Sequence, residues 1–163
     1  MGHSIRALVG KSESIDKFAD DWVHSSKVDL EQGYALIMIT DELHDDVNEF
    51  SDNQSSDPFE EFVYLSSSLN EIFIRDSFKT KLAYIETDYF GGTGSQAVIL
   101  YEDGVPTVGP LITEDIWDEK SNGFVQKPKG ARAINQVLKK MGVWCKSSDE
   151  FESLGLVHYR SME

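Results

Sequence analysis

Nine acidic residues fall between positions 41 and 61, and no Lys or Arg interrupts them. Asp41, Glu42, Asp45, Asp46, Glu49, Asp52, Glu60 and Glu61 present carboxylates that can hold a cation or steer a basic protein by their summed field. Phe59 and Tyr64 stand beside them as aromatic anchors, the type of side chain that concentrates binding energy at interface centres. As metal ligands the acids are poorly spaced: Asp41, Glu42, Asp45, Asp46 and Glu49 lack the central Gly and the twelfth-position Glu of an EF-hand loop. A run of one sign also serves simply to keep a surface solvated, and composition alone leaves that reading open.

A second constellation lies further on. Glu86 and Asp88 are two apart in a stretch with strand character, so both side chains project from one face, where a carboxylate pair can do acid/base work or bind a polar ligand. Phe90, Gly92, Gly94 and Gln96 come next, and aromatic, glycine-rich turns frame ligand clefts. Gly92, Gly94 and Ala97 also satisfy the spacing G-x-G-x-x-G/A. That fingerprint needs a helix start to hold a pyrophosphate, and here it runs into Val98, Ile99, Leu100 and Tyr101, a strand signal. The glycines are therefore expected to permit positive φ in a wide hairpin or bulge.

Other chemistries are less well supported. His3, His24, His44 and His158 are scattered and form no zinc spacing. There is no Gly-Lys-Ser/Thr phosphate loop and no G-x-S-x-G nucleophile elbow. Cys145 lies between Lys140 and Lys146, which would favour a thiolate, although a buried inert cysteine has the same sequence. No catalytic residue, metal or cofactor is assigned. A formal net charge of −14 argues against nucleic acid, whose phosphates require Lys and Arg. No apolar run approaches the ~20 residues that cross a bilayer. One cysteine and no leader-like opening fit the cytoplasm.

At 163 residues the chain fits one domain. A strand over 4–9 precedes a helix whose Ile15, Phe18, Ala19, Trp22 and Val23 recur at helical spacing. The apolar run 34–39 reads as a strand buried on both faces and so as the heart of the sheet. Thr40 or Asp41 can cap a short acidic helix with Leu43, Val47 and Phe50 inward, and the polar residues 51–56 read as a loop. Asp57, Pro58 and Glu60 form a capping-box pattern that predicts a helix from there through Phe73. Strands over 82–89, 96–101 and 105–111 make a meander, with Asp103-Gly104 a two-residue turn. Residues 113–128 lack periodicity and read as an excursion. Ala131, Ile134, Val137, Leu138 and Met141 mark a last long helix stopped by Gly142. Ser147 with Glu150 would cap a short helix, and 156–159 would add an edge strand. The sum is an α+β fold, one antiparallel or mixed sheet with a central meander packed by three to four helices.

The run Tyr84-Ile85-Glu86-Thr87-Asp88-Tyr89-Phe90-Gly91-Gly92-Thr93-Gly94-Ser95-Gln96-Ala97 resembles a segment shared by a group of small acidic bacterial proteins with no established activity. Ile134-Asn135-Gln136, Asp149-Glu150-Phe151 and Leu154-Gly155-Leu156, with His158 and Arg160, are similar to that group's ending. The resemblance implies a compact bacterial cytoplasmic protein and supplies no catalytic residue.

These residues support three functional expectations. The first is a non-catalytic binding module, such as a toxin-system immunity protein, whose acidic surface meets a basic toxin or another cationic partner. The second is a small enzyme or ligand-binding protein with its site at the Phe90 to Gln96 turn. The third is weak self-association, in which the seven bases and no acids of residues 120–146 meet the acidic stretch of another copy.

Overall fold

The computed structural model describes residues 3–50 and 58–159. Seven strands form one sheet: β1 (His3–Lys11), β2 (Lys27–Asp29), β3 (Tyr34–Met38), β4 (Lys81–Phe90), β5 (Thr93–Glu102), β6 (Val105–Asp118) and β7 (Gly123–Lys127). Their order is β2-β3-β1-β4-β5-β6-β7, and each neighbouring pair is antiparallel. The expected meander is β4-β5-β6. The run 34–39 is not at the centre: β4 holds that place, and β3 lies one strand from an edge. Its burial on both faces comes from helices above and below, which cover the sheet well out from its middle.

The period-2 alternation of the strands divides the core into two layers. Leu8, Leu82, Tyr84, Ile99 and Tyr101 face helices α1 (Ser12–Asp21), α2 (Asp41–Phe50) and α3 (Ser67–Asp76). Ile5, Ala7, Val9, Ala83, Ile85, Val98 and Leu100 face α4 (Ala133–Met141) and α5 (Glu150–Leu154). In α1, Ile15 and Phe18 are buried as predicted, but the helix ends before Trp22, whose backbone is extended, and Val23 therefore leaves the helical stripe and is exposed. In α2, Thr40 Oγ1 accepts from Leu43 N at 3.2 Å, and Leu43 and Val47 are buried. Phe50 is exposed rather than inward and meets Trp22 edge-on, ring centroids 5.6 Å apart.

The predicted helix start near Pro58 is not observed. Asp57 and the loop 51–56 lie outside the described residues, and Pro58, Phe59 and Glu60 are not helical. Helix α3 begins nine residues later, with Ser66 Oγ capping Leu69 N at 3.2 Å. A competing acceptor explains the delay: Val63 N and Tyr64 N donate to the Glu86 carboxylate at 2.8 and 3.0 Å. Amides committed to a side chain on a strand are held out of a helical ladder. Phe62 and Leu65 still reach the core from this irregular segment.

The turn between β4 and β5 is tighter than the wide hairpin expected. Phe90 pairs with Thr93, so Gly91 and Gly92 are its two central residues, at φ of 63° and 86°, the left-handed pair of a type I′ turn. Gly94 answers to a different need: a Cβ there would lie 2.0 Å from the carbonyl oxygen of Asp88. Residues 113–128 are not an excursion. β6 continues to Asp118 and pairs with β7, and the hairpin escapes a periodicity reading because both of its faces reach solvent. Toward the end of the chain, α5 is capped by Asp149, which accepts from Glu152 N at 2.8 Å. Ser147 instead gives its backbone N–H to Ser153 Oγ. Residues Leu156–Tyr159 turn as a 3₁₀ helix after left-handed Gly155 and do not form the predicted edge strand. Among the described residues no helix is long and apolar enough to cross a membrane.

Candidate functional site

Strand alternation puts Ser4 and Arg6 of β1, Glu86 and Asp88 of β4, and Ser95 and Ala97 of β5 on the face that carries α1 to α3. Near one end of that face the helices leave the sheet partly uncovered. The irregular segment 58–66 forms one wall and the start of α2 another. Two adjoining cavities result. One, of about 320 Å³, is lined by Glu61, Tyr64, Glu86, Asp88 and Ser95 among others. The other, of about 520 Å³, is lined by Thr40, Asp41 and Glu42 with Met38 and Ile39. Ser4, Arg6 and Tyr64 belong to both and separate them.

Five carboxylates therefore line the cleft, Asp41, Glu42, Glu61, Glu86 and Asp88, against one cation, Arg6. Arg6 is already engaged: its guanidinium pairs with Asp41 and lies over the Tyr64 ring, 4.0 Å from the centroid. Glu86 is engaged as well. Besides the two amides, it accepts from the Tyr84 hydroxyl at 2.7 Å, and burial followed by the adjacent Glu86 charge holds the Tyr84 phenol well above its ordinary pKa. Glu42, Glu61 and Asp88 have no ion-pair partner among the described residues. They are what the cleft can offer a positive group entering from solvent.

The two predicted constellations meet here in part. Glu61 and Tyr64 from the acidic set share the smaller cavity with Glu86 and Asp88 from the turn set. Asp41 and Glu42 line the larger one. Asp45 and Glu49 continue the charge along the exposed side of α2, and Glu60 of the irregular segment is exposed as well. Asp46 turns toward His24 Nδ1 and pairs with it. Phe59 is a packing residue against Phe62, their ring centroids 6.4 Å apart, rather than an exposed anchor. Asp52 lies outside the described residues. Phe90 and Gly92 stand at the hairpin tip, Phe90 84% exposed, and Gly94 lies in the ladder opposite Tyr89.

Gln96 is on the opposite face of the sheet. Its Oε1 accepts from Ile134 N at 2.7 Å and its amide nitrogen donates to the Tyr89 hydroxyl at 3.1 Å, so it caps α4. The residues expected around the turn are thus divided between two faces and a tip, and of them Glu86 and Asp88 line the smaller of the two cavities of the cleft. Cys145 is exposed, not buried, and its thiol contacts the Ser147 carbonyl.

Sequence reasoning missed Arg6 and His44. Arg6 stands in the predicted strand over 4–9, but nothing in that strand announces the Asp41 carboxylate it pairs with. His44 Nε2 is 3.1 Å from the Tyr64 carbonyl oxygen, and its other ring nitrogen meets Asn48, which accepts from Ser66 Oγ at 2.7 Å. The Ser66-Asn48-His44 array resembles catalytic apparatus, but Ser66 Oγ is spent on the α3 cap, and the array ties the cleft wall to α2. Among the described residues no three His, Cys, Asp or Glu side chains are grouped to hold a metal ion. Comparison with protein-family models, with curated proteins and with solved structures gives no match.

Proposed function

We propose that the protein is a non-catalytic, cytoplasmic binding module whose acidic cleft and adjoining face of α2 dock a basic protein, with inhibition of a basic toxin as the form such a role would take. The observation that carries this reading is the charge pattern of α2. Asp41/Asp45, Glu42/Asp46 and Asp45/Glu49 are like charges at i,i+4, each unfavourable by about 0.2–0.5 kcal/mol. Its last turn contains Glu49 and no base, against the helix dipole. Of this helix only Leu43 and Val47 are buried in the core, and Asp45 and Glu49 are exposed, so these two acids work against folding and suit a positively charged counterpart. Association would be fast at low salt and fall as salt rises.

The test separates stability from binding. Asp45→Asn with Glu49→Gln should stabilise the free protein by about 1 kcal/mol, roughly 3 °C in Tm. The same protein, tagged and incubated with host lysate at low ionic strength, should capture a basic partner at stoichiometric yield, and the doubly substituted variant should lose at least about tenfold in affinity for it. Asp45 and Glu49 are preferred to Asp46, which His24 already engages. Capture that is equal for both forms, or no basic partner at all, defeats the reading. A ligand-binding alternative rests on Glu61, Glu86 and Asp88 lining one 320 Å³ cavity; heats of binding with small polyamines that vanish in Asp88→Asn would favour it.

A further inference from the structure

The hairpin β6-β7 carries large apolar side chains on both of its faces and ends the sheet. Trp117 and Phe124 pair on one face, 5.4 Å between ring centroids, and are about half exposed. Ile116 pairs with Val125 on the other, and Ile116 is also exposed. β7 is an outermost strand of the sheet, so the backbone groups of its far side point away from β6. Unpaired edges of this kind template pairing with another strand. None of these residues lines the acidic cleft, so pairing at this edge is independent of any partner held there.

We infer that β7 is a self-pairing edge, at which a second copy of this chain adds antiparallel across a two-fold axis through Val125. The register of the hairpin makes the edge complementary to itself. With Val125 opposite Val125 of the second copy, the central row reads Ile116, Val125, Val125, Ile116, apolar throughout, from the observed pairing of Ile116 with Val125. In the rows on either side, Phe124 of each copy faces Gln126 of the other, with Trp117 alongside Phe124. The outer rows are charged. Lys127 pairs with Glu114 in its own chain, and Asp118 pairs with Gly123. Across the axis Lys127 would face Gly123 of the second copy, and with no side chain there it can reach past to Asp118, two strands or about 10 Å away.

The arrangement is isologous, so each contact occurs twice and the assembly closes as a dimer. A five-residue edge buries little, and the dimer is expected to dissociate in the roughly micromolar range or above. This differs from contact between the acidic stretch and residues 120–146 at large, because it specifies one register.

Register is what the experiment reads. In a Cys145→Ser background, Val125→Cys places two thiols directly opposite one another, whereas Phe124→Cys places each opposite Gln126 of the other copy. Under mild oxidation at high protein concentration, Val125→Cys should form intermolecular disulfide at least about tenfold faster than Phe124→Cys. Sedimentation should show dimer in the parent, loss of it in Lys127→Glu, and recovery in Lys127→Glu with Asp118→Lys, with circular dichroism confirming that each variant is folded. Equal cross-linking at the two positions, or a parent that stays monomeric at high concentration, overturns the inference. Dimer that survives Lys127→Glu unchanged also overturns this register.

Discussion

Glu86→Ala is expected to lower stability by about 3–5 kcal/mol, a fall of roughly 10 °C in Tm, and to release the wall of the acidic cleft. Glu86 is only 9% exposed, and its carboxylate is the acceptor for three donors: Val63 N, Tyr64 N and the Tyr84 hydroxyl. Hydrogen bonds to a charged group contribute about 1.5–3 kcal/mol each, and removing the acceptor strands the donors. The two amides lie near solvent and can find water, but the Tyr84 side chain is fully buried. The cost is therefore below the sum of three bonds.

Two further variants isolate the cause. Glu86→Gln keeps the shape but turns an N–H₂ toward donors, and should lose about half as much. Tyr84→Phe leaves the carboxylate with its amides and should cost about 1 kcal/mol. Thermal melts of all three, with amide exchange at Val63 and Tyr64, make the check. An exchange rate at those amides unchanged in Glu86→Ala would show that the strand carboxylate does not anchor the segment. The same contact explains why the cleft exists: without it, the capping-box sequence at Pro58 would be free to extend α3 toward its own N-terminus and roof the sheet.

That contact also marks the limit of what was legible beforehand. Local signals were sufficient where one face of an element is buried and the other wet: the α4 stripe of Ile134, Val137, Leu138 and Met141 with its left-handed Gly142, the meander with its Asp103-Gly104 turn, and the Leu43/Val47 side of α2. They failed where a partner distant in sequence decides. Nothing near Pro58 announces a carboxylate 23 residues beyond Val63 that will take its amide. The hairpin β6-β7 failed for the converse reason, since strands wet on both faces have no alternation to read. Of the candidate site, the acids were visible and their neighbour Arg6 was not. The run from Phe90 to Gln96, which looked like a motif with chemistry in it, is accounted for by geometry: two glycines for a type I′ turn, a third for a close backbone approach, and a glutamine that caps α4.

The alkaline limb of stability should be unusually steep, and two phenols set it. Tyr84 and Tyr101 are fully buried, Tyr84 donating to Glu86 and Tyr101 to Asn70. Burial raises both pKa values above the ordinary value, and the neighbouring carboxylate raises Tyr84 further, because ionisation would set two negative charges side by side without water. The sign depends on which state keeps its protons. Below about pH 10 the phenols are neutral in both folded and unfolded chains and contribute no slope; above it the unfolded chain releases them while the folded chain retains them. The stability of the neutral, buried form is thus complete below about pH 10 and is lost as pH climbs toward the folded pKa values, at about 1.4 kcal/mol per pH unit for each phenol and about 2.7 for both. Ultraviolet titration should find Tyr84 and Tyr101 silent until the protein unfolds. Denaturant unfolding at rising pH should show a limb that flattens by about half in Tyr84→Phe and by nearly all of the tyrosine contribution in Tyr84→Phe with Tyr101→Phe. Any slope left in that double variant belongs to lysines such as Lys27, whose bond to Asp16 raises its pKa and so also weakens the fold as the base is lost. A double variant as steep as the parent would assign the whole limb to those surface bases and leave the buried phenols without influence on alkaline unfolding.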